Sequence, residues 1–145
     1  MKIIIYNFGK IKNSSLRELE DYYLKLTKKY LQIEIVELKD VKGRKIVLND
    51  IIKQFDSGFT IVLSEEGREF TTKEFVKEIR GWGLENKEVK IFIGNAFGFE
   101  KDMKVKSDLV FSLSKLTFPH EFVRVLLLEQ LFRVGDILGG GKYHK

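Results

Sequence analysis

The sequence predicts one α/β domain built on a mainly parallel sheet. Three observations carry this reading. Short apolar or alternating runs recur five times, at Lys2–Phe8, Ile33–Leu38, Phe59–Ser64, Val89–Gly94 and Asp108–Ser114. Segments with helical spacing separate most of these runs, which is the pattern of strands joined by crossover helices. The chain has 145 residues, 43% hydrophobic and 32% charged, which suits one core rather than two. No repeat, low-complexity stretch or linker divides it, so residues 1–145 read as a single domain.

The elements follow in order. "KIIIYNF" (Lys2–Phe8) is continuously apolar, as a buried strand is, and Gly9 ends it. In "SSLRELEDYYLKLTKKYLQ", Leu16, Leu19, Tyr23, Leu26 and Tyr30 recur at helical intervals, and Ser15 and Glu18 have capping-box spacing. "IEIVEL" alternates, as a half-buried strand does. "KDVKGRK" is a charged loop, and "IVLNDIIKQF" (Ile46–Phe55) reads as a short helix.

The third strand, Phe59–Ser64, is followed by a loop, "EEGREF". "TTKEFVKEIRGW" is a helix with a second capping box, Thr71 to Glu74, ending at Gly81. The fourth strand, Val89–Gly94, leads into a glycine-bearing loop and a short helix. The fifth strand precedes a final helix from Pro119 to Leu138 that is apolar nearly all round. So wide an apolar face needs either a central place in the fold or a partner subunit.

Composition narrows the chemistry. With no cysteine and two histidines, the chain offers no thiol nucleophile and no ligand set for a metal enzyme. No apolar run approaches the ~20 residues that span a bilayer, and the opening is too short for a signal-peptide core. A cytoplasmic protein is expected. The net charge of +5 favours polyanionic partners such as RNA, although no RNP or KH motif is present.

In an open α/β sheet, ligands bind beyond the C-terminal strand ends. Three loops qualify: "SEEGRE" after strand three, "GNAFG" after strand four and "SKLTFP" after strand five. None is a P-loop or a dinucleotide fingerprint. Pro119 suits a first helical turn, where its missing N–H costs nothing. The loop before it lacks glycine and ends apolar, so it offers main-chain groups to a flat ligand such as an adenine ring. Arg124 and Arg133 lie half a turn out of phase and do not serve one ligand within a subunit. The tail "GGGKYHK" has a plain reading, a frayed terminus. It also has a sharp one, a mobile segment that orders on RNA, with Tyr143 stacking on a base and His144 relaying a proton.

"VLSEEG", "IFIGNAFG", "SLSKLTFPHEFVRVLLLEQLFR" and the terminal "YHK" together resemble the ribosomal RNA large subunit methyltransferase H family. That family belongs to the SPOUT class of S-adenosylmethionine-dependent methyltransferases. The resemblance implies a C-terminal trefoil knot and a homodimer with its active site near the subunit interface. It implies methylation at N3 of a pseudouridine in 23S rRNA of the assembled ribosome, and composition adds the expectation of no metal and no membrane. By motif match, the S-adenosyl-L-methionine contacts fall on Leu63, Gly94, Leu113, Ser114, Lys115, Leu116, Thr117 and Phe118. His144 is expected as base or orienter, Tyr143 as the group that positions the target base, and Arg124 as a stabiliser of the imide anion. The chain departs from the family at Asn95, where a second glycine is usual, and in a shorter stretch from Lys39 to Phe59. Two other readings stay open: a non-catalytic ribosome-associated RNA-binding protein, and a methyltransferase of this class with another RNA target.

Overall fold

A computed structural model describes residues 1–145. Five parallel strands form one sheet in the order β2-β1-β4-β3-β5, with β1 Lys2–Phe8, β2 Gln32–Leu38, β3 Phe59–Glu69, β4 Glu88–Ile93 and β5 Leu109–Ser112. Helices α1 (Ser14–Thr27), α2 (Thr72–Glu85), α3 (Lys101–Lys106) and α4 (His120–Leu138) connect or follow them. The α/β class and the parallel sheet are those the sequence predicts.

Side-chain alternation sorts each strand between two faces. Ile3, Ile5, Ile61, Leu63, Ile91 and Ile93 point to one face, where Phe75 and Ile79 of α2 and Leu127, Leu128, Leu131 and Val134 of α4 cover them. Phe8, Val62 and Phe92 point to the other, under Ile46, Ile51, Phe99 and Met103. Helix α4 is therefore central: nine of its residues are buried. Yet Phe122 and Leu126 on its outer side stay 48% and 39% exposed, which leaves an apolar stripe without cover in the protomer.

Four expectations are corrected. Helix α1 is capped by Asn13, not Ser15: the Asn13 side chain accepts from the N–H groups of Ser15 and Leu16 at 3.0 and 3.1 Å. Asn caps as well as Ser, and Glu121 of α4 also accepts from the Lys12 and Asn13 N–H groups, fixing this earlier start. Residues Ile46–Phe55 form two single 3₁₀ turns, Leu48–Asp50 and Ile52–Gln54, rather than a helix. Their role is to press Ile46 and Ile51 onto the sheet, which a regular helix of this length would not do with both.

The third correction concerns β3. It does not stop at Ser64. Leu63 and Arg68 both register with Phe111 of β5, so Ser64–Gly67 bulge out and the strand rejoins the ladder at Arg68 and Glu69. Gly67 permits this return, because a Cβ there would stand 2.7 Å from the Val110 and Phe111 backbone. The fourth concerns α2, which keeps its Thr71–Glu74 capping box but runs through Gly81 to Glu85.

Candidate functional site

All strands are parallel, so the C-terminal ends of β3, β4 and β5 open on the same edge of the sheet. A cavity of about 570 Å³ lies there. The bulge after Leu63 supplies Ser64 and Glu65, the turn after β4 supplies Gly94 to Gly98, and the segment after β5 supplies Leu113 to Pro119. His120 and Val123 close the wall from the first turn of α4. The three loops selected by the strand-end rule thus meet in one site.

Leu63, Gly94, Leu113, Ser114, Leu116, Thr117 and Phe118, all expected as cofactor contacts, line this cavity. Lys115 does not. Its side chain turns outward, 84% exposed, with Nζ 3.7 Å from Glu69. Glu65, the only acidic group of the wall, and Ala96 and Phe97 were not singled out by sequence reasoning. The signal for Glu65 was present in "SEEGRE", but only the bulge in β3 shows which of its three glutamates lines the cavity.

The loops are held by short-range polar contacts. The Asn95 amide donates to the carbonyls of Val41 at 2.7 Å and Arg44 at 3.1 Å, while its oxygen accepts from the N–H groups of Phe97 and Gly98. The departure from glycine at this position therefore stitches the β4 turn to the loop after β2. In the segment after β5, the Ser112 hydroxyl donates to the Ser114 carbonyl and the Ser114 hydroxyl accepts from the Leu116 N–H. The main-chain N–H groups of Thr117 and Phe118 find no partner within the protein and are free to donate to a ligand. Pro119 occupies the N-cap position of α4 (φ −54°, ψ 139°) rather than its first turn.

The candidate catalytic residues fall elsewhere. Gly140 turns the chain back at the end of α4 with φ +75°, its N–H bonded to the Ile137 carbonyl and the Gly141 N–H to the Asp136 carbonyl. This is a Schellman closure. The glycines expected to confer flexibility thus build a defined turn, and the tail after it folds onto α4. The Tyr143 N–H donates to Asp136, its hydroxyl donates to Glu129 at 3.1 Å, and its ring packs on Phe132. Burial and the hydrogen bond to Glu129 hold the Tyr143 phenol above its ordinary pKa of 10.0, so it remains a donor at neutral pH. His144 Nδ1 lies 3.1 Å from a terminal nitrogen of Arg133.

Arg124 is the third candidate. It is 3% exposed, and its Nε and a terminal nitrogen donate to both oxygens of Glu20 at 2.7 and 2.9 Å. Glu37 and the Gly9 carbonyl complete its shell at 3.4 Å each. It therefore joins α1 to α4 inside the protomer and does not face the cavity. Nor does the tail: His120 at the cavity and Arg133 at the tail are thirteen residues apart on α4, about 20 Å along the axis.

The comparisons agree with this architecture. A family profile described as "Predicted SPOUT methyltransferase" matches residues 1–144, so the class is that of an α/β methyltransferase. The chain is similar over its whole length to proteins called ribosomal RNA large subunit methyltransferase H. That of Bifidobacterium adolescentis is 31% identical, covering all of both chains. That of Prochlorococcus marinus (strain MIT 9515) is 38% identical over 99% of this chain and 96% of the relative. That of Coprothermobacter proteolyticus is 36% identical over all of both. The chain belongs to the ribosomal RNA large subunit methyltransferase H family of SPOUT methyltransferases.

Proposed function

We propose that the protein transfers a methyl group from S-adenosylmethionine to N3 of a pseudouridine in 23S rRNA of the assembled ribosome, in the cytosol and as a homodimer. The observation that carries this reading is the cavity formed by the three strand-end loops in a chain of this family. Its wall suits the cofactor. Apolar side chains of Leu63, Leu113, Leu116 and Phe118 fit a flat purine, the free N–H groups of Thr117 and Phe118 fit its polar edge, and Glu65 offers a counter-charge to a cation. When bound, S-adenosylmethionine supplies an activated methyl on a sulfonium. The C-terminal trefoil knot implied by the resemblance is part of the same proposal.

The dimer follows from the outer side of α4. Phe122, Leu126, Glu129 and Arg133 are spaced at four, three and four, so they share one face of the helix. The apolar half of that stripe lies beside the cavity, and the half that holds the tail lies at the far end. Two α4 helices packed antiparallel along it would bring the tail of one protomer to the cavity of the other. This arrangement gives Tyr143 and His144 access to the target base, which a single protomer denies them. Arg124, committed to Glu20, serves the packing of each protomer in this reading.

The chemistry asks mostly for alignment. The base loses its N3 proton to solvent water, the freed electron pair forms the N3–C bond to the methyl, and the C–S pair stays on sulfur as a neutral thioether. Tyr143 would hold the base in place, and His144 would meet the imide edge. Methyl transfer to ribosomes should fall at least about 100-fold in His144→Ala and on deletion of Tyr143–Lys145, the range expected for loss of a polar group aimed at charge that develops in the transition state. Unchanged rates in both would remove the tail from the mechanism. Mass spectrometry of rRNA from cells with and without the gene tests the target: loss of a methylpseudouridine is expected, and loss of a different methylated base would reassign it.

A further inference from the structure

A directed chain of hydrogen bonds ends on His144. The Thr72 hydroxyl donates to Gln130 Oε1 at 3.0 Å, and Gln130 Nε2 donates to Glu129 Oε2 at 2.8 Å. Arg133 Nε donates to Glu129 Oε1 at 2.6 Å, where the Tyr143 hydroxyl also donates. With Nε bound to Glu129, the orientation of the planar guanidinium is restricted, and its terminal Nη1 lies 3.1 Å from His144 Nδ1. The guanidinium carbon also lies over the Tyr143 ring, 4.8 Å from its centre, a second contact that holds the group in place.

The identity of the donor decides the tautomer. A guanidinium has five N–H groups and no acceptor, so Nδ1 of His144 must be the acceptor in this contact. A proton on Nδ1 would set one N–H against another. The neutral imidazole therefore carries its proton on Nε2, the nitrogen that points away from Arg133.

We propose that Glu129 and Arg133 are positioning residues that fix His144 as its Nε2–H tautomer, so that the imidazole meets its ligand as a hydrogen-bond donor and not as a base. This rests on the reading that the tail serves methyl transfer. In that reaction negative charge builds on the carbonyl oxygens flanking N3 as the N3 proton leaves to water. An N–H aimed at one of those oxygens stabilises the charge and selects an imide edge, whereas an unprotonated Nε2 would repel it. The proposal narrows the role of His144 from base or orienter to donor.

The tautomer can be read directly, without turnover. In uniformly ¹⁵N-labelled full-length protein above the ordinary imidazole titration range, two-bond ¹H–¹⁵N correlations report both ring nitrogens. Only two histidines are present, and the signals lost in His144→Gln assign its ring. The expected result is an unprotonated, pyridine-type Nδ1 and a protonated, pyrrole-type Nε2. A protonated Nδ1 in the wild type overturns the proposal. Arg133→Met should release the constraint and give a tautomer mixture, and Arg133→Lys, which restores a donor, should recover the Nε2–H form. An Arg133→Met spectrum identical to wild type also overturns it. Methyl transfer by the same wild-type sample separates the two claims: the Nε2–H form without any transfer to ribosomes sinks the function and leaves the assignment standing, while transfer with an Nδ1–H form does the reverse.

Discussion

The side-chain amide of Asn95 donates to the main-chain carbonyl of Val41 at 2.7 Å and joins the cavity wall to the loop after β2. The same side chain also bonds the Arg44 carbonyl and the Phe97 and Gly98 N–H groups, so one residue orders two loops. In Asn95→Gly, all four contacts go while the backbone gains freedom. The wall from Gly94 to Gly98 should then bind less well. Affinity for S-adenosylmethionine should drop by about tenfold, the equivalent of ~1.4 kcal/mol, in titration calorimetry. An affinity equal to wild type would show that this turn does not touch the cofactor.

The buried pair of Arg124 and Glu20 gives a stability prediction. Burial lifts the Glu20 carboxyl above its ordinary pKa even though Arg124 pulls it down, which marks how dry the site is. Arg124→Ala leaves that carboxylate without its partner, and denaturant unfolding should show a loss of about 3–5 kcal/mol. The double replacement Glu20→Leu with Arg124→Met should recover most of the loss, because two apolar groups need no ion pair. A stable, inactive Arg124→Ala protein would instead return Arg124 to the reaction.

Gly67 sits where β3 re-enters the ladder. A Cβ there would stand 2.7 Å from the backbone of Val110 and Phe111. Gly67→Ala should cost about 1–3 kcal/mol, since backbone cannot retreat as a flexible side chain can. It should also misplace Ser64 and Glu65 on the cavity wall. A melting temperature equal to wild type would argue against the bulge.

Glu121 supplies a pH dependence. Partial burial disfavours its charge, but the Asn13 and Lys12 N–H groups outweigh this, so its pKa lies below the ordinary 4.5. A carboxylate depressed in the folded state contributes stability that is present above pH 4.5 and lost as pH falls through the folded value. Glu121→Gln should therefore lower stability near neutrality and converge with wild type in acid, which flattens the acid limb of its stability curve. A curve with an unaltered acid limb would contradict the clamp between α4 and the start of α1.

Much of this was legible in the residues. The apolar runs fell on strands because each is buried on at least one face, and a stretch buried on both, such as Ile3–Ile5 of β1, reads as continuous apolarity. The Thr71–Glu74 box was legible because both of its partners lie within one helical turn. Ser15–Glu18 carried the same signature and failed, since the choice of cap was made by Asn13 together with Glu121, a residue 108 positions away. "IVLNDIIKQF" has helical spacing, yet the demand to cover Phe8, Val62 and Phe92 bent it into 3₁₀ turns.

The sequence by itself determined the sheet, its three loops and the family, because strand burial and loop motifs are local patterns that repeat along the chain. The residues expected to contact the cofactor, all but Lys115, line one cavity. Only the tertiary structure decided the roles of the charged groups. Arg124 and Arg133 look alike as letters in one helix. One faces inward to Glu20 and holds two helices together, and the other faces outward and holds His144. Helix phase, combined with what each face meets, makes that distinction, and a carboxylate more than 100 residues upstream is invisible to any reading of neighbours.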